Sequence, residues 1–182
     1  MGKRHMSNHT KKAPTQATTP APQMDAPISN SEMIELCINS NISVDEELAP
    51  FGEGHAWLTV HQDEQTNGYG LWPDPGIMSL VGLGDNTSDV HKNLKGDGEL
   101  GPYNYCESIT QEQFEKFEAL RQETAFWAPT NNCSSWASST FTEVTGTDVD
   151  ADDEWILGVE TPRELGQNIT QLNEQRALNG AQ

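Results

Sequence analysis

The segment Gly54-His55-Ala56-Trp57-Leu58-Thr59-Val60-His61 constrains the fold most, because its apolar and polar side chains alternate and β-formers dominate it. That pattern predicts a strand. The polar run 62–68 ends in Asn67-Gly68, a turn signal, and Tyr69-Gly70-Leu71-Trp72 reads as the returning strand. Pro73-Asp74-Pro75-Gly76 stops it. Upstream, residues 32–39 carry apolar side chains at 33, 34, 36, 37 and 38; strand and short helix both fit. Downstream, residues 82–102 are rich in Gly, Asp and Asn and read as a long loop, of the kind that often carries function. Residues 103–109 fit a third strand.

Helical signals follow. Thr110 and Gln113 form a capping box, and Phe114, Phe117 and Leu120 keep helical spacing, predicting a helix to about Phe126. Pro129-Thr130-Asn131-Asn132 breaks it and caps a second helix from Cys133 to Val144, with Cys133, Trp136, Ala137, Thr140, Phe141 and Val144 on one face and Gly146 just past its end. The acidic stretch 148–154 reads as a loop, and 155–159 as a short apolar element. Thr161-Pro162 opens a last helix, with Leu165, Ile169 and Leu172 as its stripe and a fraying end.

Residues 1–30 hold few large apolar side chains and are expected to be a disordered polar segment. Residues 1–5 read as a cloning remnant ahead of a natural start at Met6. Residues 31–182 are expected to form a single domain, long enough to build a core without staples. The formal charge is −18; the first twelve residues carry four cations and no acid, which leaves −22 on the rest. So acidic a body repels phosphate backbones, which argues against nucleic acid as a partner; it suits a soluble surface or the docking of a basic partner. No run reaches the length of a membrane span, so no stable membrane insertion is expected, and no signal-peptide pattern opens the chain. The three cysteines, Cys37, Cys106 and Cys133, form no CxxC pair; one thiol stays free even if the other two join, and whether Cys37 and Cys106 do so is open.

Cys133 is the candidate nucleophile. It falls in the first turn of a helix capped by Asn131 or Asn132, where unpaired N–H groups and the positive dipole end favour a thiolate. His55, a polar ring inside an apolar strand, is the candidate general base. His61 shares its face by parity but lies about 20 Å along the strand, which leaves it a weaker alternative. A third group should orient the imidazole. A hairpin centred near Glu64-Gln65 sets His55 opposite Asp74, whereas a tight turn at Asn67-Gly68 sets it opposite Leu80; Asp74 is the candidate on the first register. Backbone N–H groups at the helix start, aided by the Asn132 side chain, are the candidate oxyanion hole. No His/Cys cluster has zinc spacing, so neither metal nor cofactor is expected.

Taken together, Gly54-His55-Ala56-Trp57-Leu58, Tyr69-Gly70-Leu71-Trp72-Pro73, Asn131-Asn132-Cys133-Ser134-Ser135-Trp136-Ala137 and Thr161-Pro162-Arg163-Glu164-Leu165-Gly166 resemble the circularly permuted NlpC/P60 papain-like group, in which the His strand precedes the Cys helix. The resemblance covers about residues 50–170. It implies an α+β fold, a small antiparallel sheet packed against the helix that carries the nucleophilic Cys. It implies a cysteine peptidase or amidase that cleaves peptidoglycan peptides through a thioester. Some relatives are antibacterial toxins delivered by type VI secretion, which would make the chain a protein made in the cytoplasm without a leader and acting in the periplasm of a rival. Its partners would be a component of the secretion machine, with the polar front end as tether, and a cognate immunity protein. Lecithin:retinol acyltransferase relatives share the permuted order and act on lipids, but their motif reads Asn-Cys-Glu, and Ser134 stands here in place of that Glu. Thioester-based deamidation or acyl transfer on protein or lipid, and a non-catalytic binding module on the same fold, are the alternatives.

Overall fold

The computed structural model describes residues 33–41, 54–73, 88–153 and 159–180. Every element lies in the unit Glu32–Gln182; the unit Met1–Ser31, and with it the expected disorder over 1–30, falls outside the described residues. The architecture is α+β. Five antiparallel strands, β1 (Ile34–Ser40), β2 (Ala56–Gln62), β3 (Gln65–Leu71), β4 (Val90–Lys92) and β5 (Tyr103–Ile109), form one sheet in the order β4-β3-β2-β1-β5. Three helices follow, α1 (Gln111–Leu120), α2 (Cys133–Thr145) and α3 (Pro162–Gly180). Two-residue strands β6 (Asp152–Asp153) and β7 (Val159–Glu160) pair between α2 and α3. No helix among the described residues is long and apolar enough to cross a membrane.

The sheet's two faces explain the sequence pattern. Leu36 and Ile38 of β1 and Leu58 and Val60 of β2 share one core with Phe117 of α1, Phe141 and Val144 of α2 and Leu165 and Ile169 of α3. Cys37, Asn39 and Thr59 alternate with them onto the opposite face, and these too are fully buried. With both faces covered, β1 shows no alternation, which is why residues 32–39 read as either strand or helix. Cys37 and Cys106 sit directly opposite each other on β1 and β5 and form a disulfide; Cys133 is free.

Two boundaries depart from the sequence reading. The β2–β3 hairpin turns at Asp63-Glu64, since Gln62 pairs with Gln65; Asp63 takes the left-handed conformation (φ 56°) that an aspartate tolerates. Asn67-Gly68, read as a turn, lies inside β3. The α1 helix keeps its capping box but stops at Leu120. Beyond it the backbone bonds elsewhere: Ala125 O accepts from Asp89 N (2.8 Å) and Trp127 N donates to Asp89 Oδ2 (2.7 Å). The helical spacing through Phe126 loses to that pairing, and Phe126 stays exposed.

The β5 edge is closed by α3. Asn173 Nδ2 donates to Asn104 O and Arg176 donates to Cys106 O, each at 2.8 Å, so helix side chains satisfy carbonyls that a bare edge would leave unpaired. The helix runs on past its apolar stripe to Gly180.

Candidate active site

Cys133 is the first residue of α2 because Asn132 caps it. Asn132 is extended (φ −99°, ψ −172°), and its Oδ1 accepts from Ser134 N (2.8 Å) and Ser135 N (3.2 Å). Its Nδ2 donates to Glu160 O (2.7 Å) and Pro129 O (3.3 Å). Both ends of this amide, the candidate aid to an oxyanion hole, are occupied by backbone groups. It is a cap that also ties the helix start to β7. The backbone N–H of Cys133 has no acceptor among the described residues and is the donor left at the helix start.

His55 immediately precedes β2. Asn41 fixes it: Asn41 Oδ1 accepts from His55 N (2.6 Å), and Asn41 N donates to His55 O (3.2 Å). The imidazole stacks parallel to Trp57 (centroids 5.7 Å apart) and packs closely on Trp72 (3.8 Å). Continuing the hairpin register, in which Leu58 faces Tyr69, sets position 55 opposite 72. The expected register was one residue off centre, and Asp74, its candidate, lies outside the described residues.

The carboxylate that meets the imidazole is Asp97. His55 Nε2 lies 3.3 Å from Asp97 Oδ2, and Trp72 Nε1 donates to the same oxygen at 2.8 Å. The Cys133 thiol interacts with the same imidazole, through a side-chain hydrogen bond and through charge. His55, Asp97 and Cys133 are 6%, 2% and 8% exposed, so the three groups meet out of bulk water.

Asp97 was not singled out from the sequence. It lies 42 residues from His55, on a loop that comes back over β3. The loop is pinned by Asn93, whose N donates to Gly68 O (2.8 Å) and whose Oδ1 accepts from Gly68 N (2.6 Å). The signal that could have found it is Gly68-Tyr69-Gly70, two glycines on one face of a strand. A Cβ at Gly68 would lie 1.5 Å from Asp97 O, and one at Gly70 would lie 2.5 Å from Asp97 Oδ2 and 2.6 Å from His55 Nε2. Glycine inside a strand marks such a close approach.

His61 is placed elsewhere. Its Nδ1 is 2.8 Å from Thr66 Oγ1 and its Nε2 is 3.2 Å from Thr59 Oγ1, so both ring nitrogens are satisfied within the hairpin. Among the described residues the one grouping with metal-ligand chemistry is Glu35, Cys37 and Cys106, and its two sulfurs are joined in the disulfide.

The electrostatics favour an ion pair. Burial alone would lower the His55 pKa, but the hydrogen bond to Asp97 and the interaction with Cys133 outweigh it and raise the value to about 9. Burial alone would raise the Cys133 pKa; the hydrogen bond and charge of His55, the Ala56 backbone N–H and the Ser134 hydroxyl together bring it below the ordinary thiol value. Ser134 Oγ, fully buried, has no hydrogen-bond partner among the described residues in this arrangement, so its proton is available to a negatively charged sulfur beside it. A thiolate, an imidazolium and a carboxylate in series can perform nucleophilic and general acid–base chemistry. No family model, curated protein or solved structure matches the chain.

Proposed function

We propose that this chain is a cysteine hydrolase of the permuted papain-like type that cleaves amide bonds of peptidoglycan peptides. The observation that carries the reading is the series Cys133–His55–Asp97, in which the imidazole lies 3.3 Å from a buried carboxylate and interacts with the thiol. In the mechanism, the Cys133 thiolate attacks the amide carbonyl carbon, and the oxyanion that forms is met by the Cys133 N–H. The C–N bond then breaks as the His55 imidazolium gives its proton to the leaving amine. Water, deprotonated by His55, attacks the resulting thioester carbonyl, and the acid product leaves as the thiolate is restored. Asp97 and Trp72 hold the ring in place throughout.

The chain order also supports the reading, because the His55 strand precedes the Cys133 helix within an antiparallel sheet. The Cys37–Cys106 disulfide supports a workplace outside a reducing cytosol, as a toxin delivered to a periplasm would have. The intact series weighs against a non-catalytic binding module. Purified sacculi incubated with the wild type should release muropeptides, and the Cys133→Ala variant should release none above background. Equal release by both would overturn the mechanism.

A further inference from the structure

The body of this protein is acidic, and four of its six cations are engaged among the described residues. After residue 12 there are six: Lys92, Lys95, Lys116, Arg121, Arg163 and Arg176. Lys116 pairs with Glu143 (3.4 Å), Arg121 with Glu118, and Arg176 with Glu107 (3.9 Å). Arg163 is engaged as well. Lys92 and Lys95 have no carboxylate partner among the described residues and instead face aromatic rings. Lys92 shares Tyr69 with Arg121. Lys95 stands alone over Trp72, with its ammonium 4.5 Å from the ring centroid. Trp72 is the ring that packs on His55 and donates to Asp97. One indole therefore separates an exposed, unpaired ammonium from the imidazole.

The backbone adds an independent observation. Lys95 has φ 49°, a left-handed conformation that a lysine adopts only at a cost and that a glycine would take freely. A glycine is the next residue, Gly96, at φ 101°. A side chain kept at a strained position beside a reactive group points to use of that side chain. Its chemistry is that of a cation, and an anionic substrate approaching so acidic a body needs one locally.

We infer that Lys95 is a specificity-determining residue whose ammonium, propped on Trp72, receives a carboxylate carried by the substrate. The inference rests on the cysteine-hydrolase reading and narrows its substrates to amides bearing a carboxylate.

The test needs no substrate. Cys133 is alkylated with iodoacetate, an anion, and with iodoacetamide, its neutral counterpart, at low ionic strength, in the oxidised protein where Cys133 is the one free thiol. Either reagent forms an S–CH2 bond and releases iodide. His55 is common to all variants, so the iodoacetate-to-iodoacetamide rate ratio isolates the contribution of Lys95. The ratio should fall about fivefold in Lys95→Gln, hold in Lys95→Arg, and fall toward the Lys95→Gln value in the wild type at high salt. Should Lys95→Gln also slow iodoacetamide, Lys95→Gly, which relieves the backbone, decides by the same ratio. An unchanged ratio in the variant with an intact iodoacetamide rate overturns the inference and leaves the hydrolase reading untouched. Failure to digest sacculi, with the ratio behaving as expected, overturns the peptidoglycan reading and leaves the carboxylate subsite standing.

Discussion

The imidazole of His55 is where the candidate site is held together. It is stacked on Trp57, packed against the tilted ring of Trp72, fixed at its backbone by Asn41, and interacts with both a carboxylate and the Cys133 thiol. Asp97 raises its pKa, and the imidazolium in turn lowers that of Cys133. The reactive pair therefore exists between two limits. Below the lower limit Cys133 regains its proton, and above about 9 His55 loses its own. Asp97→Asn removes a contribution that raises His55, so the alkaline limb should move down from about 9; the acid limb, where Cys133 titrates beside an imidazole that is already protonated, should stay in place. The window narrows from its alkaline side while kcat falls by up to about 10⁴-fold, the loss seen when the orienting carboxylate of a triad becomes an amide. A pH–rate profile of hydrolysis checks this. A fall in rate with the alkaline limb unmoved would mean that Asp97 serves folding alone.

Strand β3 is the platform on which the Asp97 loop rests, and its two glycines fail differently. At Gly70 an added methyl meets the Asp97 carboxylate and the His55 ring, side chains that can be displaced. At Gly68 it meets the Asp97 backbone, which cannot give without moving the loop. Gly70→Ala should therefore cost about 1–3 kcal/mol of stability, as overpacking does, and disable the site. Gly68→Ala should cost more than Gly70→Ala. Chemical denaturation with activity on the same samples tests the order; a fully active Gly70→Ala would show that the ring and carboxylate need not be so close. These glycines also mark how far the sequence could be read. The Thr110 capping box, the Asn132 cap with Gly146 at the far end of α2, and β5 are set by residues within a few positions of one another, and they are legible locally. The hairpin register was not, because Asn67-Gly68 is the stronger turn signal, yet its glycine serves a loop some 25 residues away. Asp97 was hidden for the same reason: its partner in space is set by that loop and not by any spacing in the chain.

The disulfide gives the whole molecule an asymmetric dependence on its surroundings. Cys37 and Cys106 are 69 residues apart and join the neighbouring strands β1 and β5. The segment they enclose contains His55, Trp57, Gly68, Gly70, Trp72 and Asp97, which is the imidazole–carboxylate half of the site. Cys133 lies outside it, on α2. Closing a loop of that length restricts the unfolded chain by about 4 kcal/mol in the chain-entropy account. That is a large part of the stability of an ordinary domain. The bonds that carry the enclosed half run from its own residues to one another and to β1: Asn39 Oδ1 to Gly101 N (2.9 Å), Trp57 Nε1 to Glu99 O (2.9 Å) and Gly68 to Asn93. None of them passes through a cysteine sulfur. The folded Cys37→Ala/Cys106→Ala protein should thus keep its His55–Asp97 contact and the iodoacetamide reactivity of Cys133 below neutral pH, yet unfold with a midpoint lower by about 4 kcal/mol divided by the denaturant slope. Urea titration of the double variant beside the oxidised wild type measures the first quantity, and alkylation kinetics in the absence of urea measures the second. Coincident midpoints would mean that the crosslink restrains nothing. A lost reactivity in the still-folded variant would mean that the bond shapes the site itself.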